Sequence, residues 1–474
     1  MIQNYFVNEI LTENAEKMIP SFEAVSSNSN FSLIKIKNAA IIQDCLEDEF
    51  FQSFVKTPEG ELINAGMWTR SLYHPRGDLS ELCENFEPDY SKLRVRKRIL
   101  AACKNTGKPF IIALYRTGSS ENENEEELEK WRQEMFKMNS LHSLIGIYEA
   151  ADEGERFDEI SCSIPTLHLI KRSEHELDDL IPFCEIEVES VRTRLIDYLT
   201  GCLNGNQAAA ESFILFLVSR PSMRVDGLVD SLFIGKLCVN LCCENTGNSA
   251  ALELSKILMT LKQFVSGPVV IESNPDAAFT KESIYPCLNV QTGQLNPGAV
   301  LQQPDGCILV VDESSLEVGE FKDQAVRNLQ ALIDLIRQQH VNYDFGMQQV
   351  TLKTDMPVVT VSIGKKSVLP FDLRIDCDTV KALKVEEKEA LLFRSFLHHC
   401  RLINCTVTEE MAVFLEQDYL SLRKSSPLLV NGNPKMNEQE FHRLMNLARL
   451  MAVSHGQSEL SKTIWEQTKA AYNI

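Results

Sequence analysis

Residues 294–316 read QLNPGAVLQQPDGCILVVDESSL. A polar stretch punctuated by Pro297, Gly298, Pro304 and Gly306 gives way to five apolar residues, Cys307 to Val311, and the run closes on two acids, Asp312 and Glu313. A short apolar run between turn signals predicts a strand buried on both faces, as in a parallel sheet covered by helices. Acids at the carboxyl end of such a strand sit where α/β proteins keep their ligands. In a nucleotide-hydrolysing domain the Asp of such a pair helps hold Mg²⁺ and the Glu orients the attacking water. Two readings stand: a ligand-handling pair, or a strand end that is merely polar.

The flanking sequence supports an α/β core. Residues 236–243, KLCVNLCC, predict a second core strand. A polar turn follows at 244–249, and then a helix with Leu254, Ile257, Leu258 and Leu261 on its buried side. Strand, small-residue turn and helix is the arrangement that cradles a phosphate at a helix N-terminus. A working cradle needs glycines for close backbone approach and a Lys to reach the terminal phosphates. The turn offers Thr246, Gly247, Asn248 and Ser249, so a neutral Asn stands where the Lys belongs, and Cys242 and Cys243 lie where the first glycine belongs. The competing reading is an ordinary connection capped by Asn248 or Ser249. Further strands are expected at 268–272, 350–352 and 358–363. Helices are expected at 191–203 and 208–218, joined by Asn204-Gly205-Asn206, and at 321–339, with Val326, Leu329, Leu332, Ile333 and Ile336 facing inward. Alternating strands and helices imply a mainly parallel sheet with helices on both sides.

From residue 384 the pattern is helical. Ala390, Phe393, Leu397 and Cys400 share one stripe, Thr408 and Ser461 or Thr463 are N-cap candidates, and Asn437 with Glu440 has capping-box spacing. His398, His399, Cys400 and Cys405 form no metal site, because adjacent helical positions diverge by about 100°; no metal and no cofactor are expected. The front reads differently: a short leading helix at 1–16, then strands at 31–44, 109–116 and 144–148, which suggest a small OB-like barrel or sandwich. Residues 92–98, KLRVRKR, admit three readings: a solvated strand edge, a nuclear import signal, or a phosphate-contacting patch. Acidic segments at 118–130 and 152–159 read as solvated loops, and His168 and His175 as surface residues.

A chain of 474 residues is too long for one core, so two or three domains are expected. The partition is 1–150 as an OB-like region, 151–185 as a linker, 186–370 as the α/β domain and 371–474 as a helical domain. The net charge of −20 argues against nonspecific binding to nucleic acid. The 14 cysteines form no repeated C-x-x-C pairs and read as reduced core thiols. No signal peptide or membrane-spanning run is evident in the sequence.

Several segments, taken in order, resemble the minichromosome-maintenance (MCM) complex-binding proteins. They are residues 2–6, 19–22 and 40–51, then 191–217, the ILVVDESSL of 308–316, the VNYDF of 341–345, and Ser454-His455-Gly456-Gln457. The resemblance implies an MCM-like architecture: an OB-like front, a degenerate AAA+-like core and a helical lid. It makes Thr246, Gly247, Asn248, Ser249, Asp312 and Glu313 vestigial nucleotide-site positions, and aligns Ser362-Ile363-Gly364 with a polar sensor position. It implies a non-catalytic nuclear protein that binds MCM helicase subunits. The implied roles are assembly, stability or chromatin release of the complex, and sister chromatid cohesion. The alternative is a weak nucleotide-binding AAA+-like ATPase that retains its metal-side carboxylates. The family's long front insertion has no counterpart here beyond short polar segments.

Overall fold

The computed structural model describes residues 32–46, 49–52, 54–56, 62–64, 69–71, 74–75, 93–103, 108–115, 138–149, 164–175, 184–221, 223–226, 231–243, 250–265, 269–272, 282–289, 294–296, 299–314, 316, 323–364, 367–377, 380–425 and 436–472. The expected leading helix, the acidic segments 118–130 and 152–159, and the turn 244–249 lie outside the described residues. The protein is a mixed α/β chain of two compact units: Met1–Glu176 with Cys287–Pro304, and Leu177–Pro286 with Asp305–Ile474.

The first unit is built on strands β1 (Ser32–Cys45), β2 (Glu49–Gln52), β3 (Leu93–Cys103), β4 (Pro109–Tyr115), β5 (Leu141–Glu149) and β6 (Thr166–His175). Five of them close a ring in the order β1-β5-β6-β4-β3, with β3 pairing back onto β1 and β2 extending β3. Pairing is antiparallel except for β6 on β4. Ile34, Ile42, Ile99, Phe110, Ile112 and Leu144 fill the interior. Gly146 is required in β5, since a Cβ there would lie 2.4 Å from the carbonyl oxygen of His168.

Two expectations change here. The basic run is no sheet edge: from Leu93 onward it belongs to β3, which pairs with β2 and β1 along one side and β4 along the other, and Lys97 is buried. His168 is not a surface residue. It is buried, with Nε2 2.9 Å from Oε2 of Glu149. Its partner comes from the neighbouring strand, so nothing in the local sequence marks it. Strand β6 lies inside the segment read as a linker.

Residues 287–304 also belong to this unit. Leu288–Asn289 pairs with Gln294–Leu295, and Asn296 ties the hairpin shut by accepting the Cys287 N–H at 2.8 Å and donating its own N–H to the Cys287 carbonyl at 2.9 Å. Gln302 Nε2 donates to the Gln43 carbonyl at 3.3 Å. The polar half of the 294–316 stretch is therefore built into the first unit, and the strand half into the second.

The second unit starts with α1 (Val188–Cys202) and α2 (Gln207–Val218). Asn204 and Gly205 take left-handed φ values of 55° and 88° at the turn between them, and Asn206 caps α2 by accepting the Ala209 N–H at 3.0 Å. Phe213 to Val218 are all buried, as an all-apolar helix requires. There follow β7 (Val239–Cys243), α3 (Ala250–Lys262), β8 (Val269–Glu272), β9 (Leu309–Asp312), α4 (Asp323–Gln338), β10 (Val358–Ile363) and β11 (Leu373–Cys377). The sheet is wholly parallel, in the order β8-β9-β10-β7-β11. A β-hairpin, His340–Asp344 with Gln349–Lys353, stands between α4 and β10, where only a short strand was expected. Val326 is 48% exposed rather than inward. The inward position goes to Asn328, whose Oδ1 accepts the Ile284 N–H at 3.3 Å and whose Nδ2 donates to the Glu282 carbonyl at 2.7 Å. Those bonds satisfy a buried amide that periodicity alone would place outside.

Helices α5 (Glu387–Leu402), α6 (Glu409–Ser425), α7 (Glu438–Ser454) and α8 (Lys462–Ala471) complete the unit. Thr408, Asn437 and Ser461 cap α6, α7 and α8, whereas Glu440 pairs with Arg443 instead of closing a capping box. These helices share one hydrophobic core with the sheet: Phe393, Leu447 and Trp465 lie in the same cluster as Leu241, Val359 and Ile375. Tyr198, Phe264 and Phe393 join α1, the end of α3 and α5, with ring centroids 5.6–5.9 Å apart.

Candidate functional site

Because all five strands of the sheet run the same way, their carboxyl ends share one edge. The strand order puts β10 between β7 and β9. Three positions singled out in the sequence therefore converge: the end of β7, Ser362 and Gly364 at the end of β10, and Asp312 and Glu313 at the end of β9. Strand spacing separates β7 from β9 by about 10 Å. Thr246, Gly247, Asn248 and Ser249 lie outside the described residues.

Both acids are buried, Asp312 at 4% and Glu313 at 7% exposure. Asp312 Oδ1 accepts the Ser314 N–H at 2.9 Å and so folds the chain's own turn. Glu313 continues the ladder through its backbone, donating its N–H to Val361 at 2.9 Å. Its Oε1 accepts the Leu369 N–H at 3.1 Å, and its Oε2 is buried with no hydrogen-bond partner among the described residues. Burial pushes the Glu313 carboxyl above its ordinary range, and the Leu369 N–H only partly opposes this. A carboxyl held toward its neutral form is a poor partner for Mg²⁺.

Ser362 is likewise occupied. Its hydroxyl donates to Asn240 Oδ1 at 3.1 Å, and Asn240 Nδ2 donates to Thr360 Oγ1 at 2.8 Å. The three residues are at most 2% exposed and form a small polar network on one face of the sheet. Gly364, at φ +82°, donates its N–H to the Cys243 carbonyl at 3.1 Å.

Sequence reading missed β11. Its pattern is visible in LRIDC, with Leu373, Ile375 and Cys377 buried and Arg374 and Asp376 exposed, but five residues flanked by polar segments make a weak signal. β11 brings Cys377 Sγ to 3.8 Å from Cys243 Sγ and Arg374 Nη2 to 3.2 Å from Cys242 Sγ. The neighbouring Cys243 thiol and burial push the Cys377 thiol up. Apart from Glu313 Oε2, the polar side chains named on the described part of this edge are engaged by other groups of the chain. The sequence adds no Lys at 248. These residues do not fit a magnesium–nucleotide complex.

The class so defined is an α/β protein of two units, one with a ring of mainly antiparallel strands and one whose parallel sheet carries an acid pair at its carboxyl edge. The chain belongs to the mini-chromosome maintenance replisome factor family, whose profile matches residues 117–472. It is similar to the mini-chromosome maintenance complex-binding protein of Arabidopsis thaliana, at 29% identity over 67% of this chain and 54% of the relative. The protein of the same name from Danio rerio is 30% identical over 60% of this chain and 44% of the relative. That from Gallus gallus is 28% identical over 68% of this chain and 52% of the relative. The chain spans about half the length of the curated relatives it matches. Among the described residues no helix is long and apolar enough to cross a membrane.

Proposed function

We propose that this chain is a non-catalytic binding protein for the MCM complex. The observation that carries the proposal is family membership over residues 117–472, among relatives named as MCM complex-binding proteins. Non-catalysis is supported by the acid pair, since Glu313 is engaged with the Leu369 backbone and Asp312 with its own turn. Phosphoryl transfer relies on placed cations, and Asn248 supplies none.

The architecture we infer is MCM-like. A five-stranded ring with one parallel pair supports an OB-like front. A parallel sheet in which the strand before 244–249 neighbours β10, and β10 neighbours the acid-bearing β9, supports a degenerate AAA+-like core. Helices α5 to α8 are its lid. The protein works in the nucleus, where it supports assembly, stability or chromatin release of the complex and contributes to sister chromatid cohesion.

The test is direct. The purified chain is immobilised and offered purified MCM complex, with a fluorescent ATP analogue titrated in parallel. Retention of MCM subunits without submicromolar, magnesium-dependent nucleotide binding is expected. Failure to retain any MCM subunit sinks the proposal, and magnesium-dependent ATP turnover sinks its non-catalytic half.

A further inference from the structure

The second unit holds a cavity of about 310 Å³ where the end of α2, the end of α5 and the C-terminal half of α7 meet. Val218, Ile234, Ile403 and Leu450 give its walls an apolar part, and polar groups line the rest. Three arginines reach it, Arg220, Arg401 and Arg449, and no Asp or Glu lines it among the described residues. In a chain of net charge −20 that concentration of cations needs a reason.

The arginines differ in how they are neutralised. Arg220 pairs with Asp355, Nε to Oδ2 at 3.2 Å. Arg401 donates Nε and Nη2 to the Leu217 carbonyl at 3.0 and 2.8 Å, which caps the end of α2. Arg449 differs from both: its Nε is buried with no hydrogen-bond partner among the described residues. Leaving a buried donor unmade is costly, and more so for a charged group. Burial also pulls the Arg449 guanidinium below its usual range.

We infer that this cavity is a docking site for an acidic residue flanked by apolar residues, carried on a segment of the protein partner, with Arg449 as the carboxylate receptor. The inference rests on the binding-protein reading above and names the chemistry of one contact. Arg449 lines the cavity and has no ion-pair partner among the described residues, and a planar guanidinium left without one is the group a carboxylate pairs with best. The cavity volume matches the small end of ligand pockets and accommodates one or two side chains. Apolar walls receive the flanking residue, and Leu402, 63% exposed on the lining, marks the way in.

The experiment compares the full chain with Arg449→Gln, Arg449→Lys and Leu402→Glu as receptors for the purified partner complex. Thermal melting checks that each variant is folded. Arg449→Gln is expected to weaken capture at least tenfold, and Leu402→Glu similarly, by setting a like charge at the entrance. Arg449→Lys retains part of the affinity. Leu402 is exposed, so its variant folds and decides the matter even if Arg449→Gln does not. Capture within twofold of the unaltered chain by both Arg449→Gln and Leu402→Glu overturns the site while leaving the binding-protein reading intact. No capture by the unaltered chain overturns both. A duplex DNA probe is run beside them, and DNA binding that depends on Arg449 would assign the site to phosphate and overturn the carboxylate assignment.

Discussion

Replacing Gly456 with Ala tests whether the Ser454-His455-Gly456-Gln457 segment is structural. Ser454 ends α7, and Gly456 follows it at φ +70°. The Gly456 N–H donates to Val453 at 2.8 Å and the Gln457 N–H to Ala452 at 2.9 Å, which satisfies the carbonyls a helix end leaves open. Ser454 Oγ takes the buried Arg192 Nε at 3.1 Å, and His455 Nδ1 sits 2.7 Å from Glu189 Oε1, so the segment pins α7 to α1. Holding Ala in the left-handed region costs about 1–2 kcal/mol. Its Cβ would also lie 3.1 Å from Cγ1 of Val188, so Val188 must shift. An off-rotamer valine adds roughly 0.5–1 kcal/mol. The expected loss is about 2 kcal/mol, or roughly 3–4 °C in the melting temperature for a unit of this size. Urea denaturation and calorimetry measure it directly. Gly456→Asn should fall between, because Asn tolerates the left-handed backbone but keeps the Cβ clash. Trimming Val188 to Ala in the Gly456→Ala background should recover the steric part in a double-mutant cycle. A Gly456→Ala protein within about 0.3 kcal/mol of the unaltered chain would refute the cap argument.

Other outcomes follow from the same contacts. Asp312→Asn with Glu313→Gln should leave capture of the partner complex unchanged, and loss of capture in a folded double variant would make the acids functional. Asp418→Ala should cost about 1–3 kcal/mol by leaving a buried indole donor unmade, since Asp418 Oδ2 accepts both Trp465 Nε1 at 2.8 Å and Lys469 Nζ at 3.0 Å; an unchanged urea midpoint contradicts this. Because the folded Glu313 pKa is raised, its contribution is most favourable below the ordinary glutamate value near ~4.3 and is lost as pH rises through the raised folded value. Glu313→Gln should remove that part of the pH dependence, and parallel stability profiles for the two proteins from pH 4 to 7 would contradict it.

The sequence made the core strands legible where an apolar run was bounded by turns, as in β9, β10 and β7. Helix faces were legible where stripe and cap agreed, as at Thr408 and Asn437. What escaped was decided by partners distant in the chain. β3 hides behind a run of cations, and only its pairing with β1, β2 and β4 identifies it as a strand within the sheet. His168 looks like a surface residue until Glu149 arrives from β5. Asn328 displaces Val326 from the interior because the backbone of Glu282 and Ile284 satisfies it. The acid pair was legible as chemistry but not as occupancy, since Leu369 lies 56 residues from the carboxylate it binds.

That occupancy bears on the proposal that the site is non-catalytic. Two adjacent buried acids repel each other and lose hydration, and a working nucleotide site offsets both costs with a metal ion and a lysine. Here the offset comes from the chain itself. Asp312 takes a backbone donor from its own turn, and Glu313 takes one from Leu369 and is held toward its neutral form. Restoring only the lysine, as Asn248→Lys, therefore leaves the second half of the problem in place. A cation added at 248 does not release Glu313 from Leu369, so the variant is expected to bind magnesium–ATP no better than the unaltered chain in the same fluorescent titration. Submicromolar binding on that one substitution would mean the acids had been ready for metal all along.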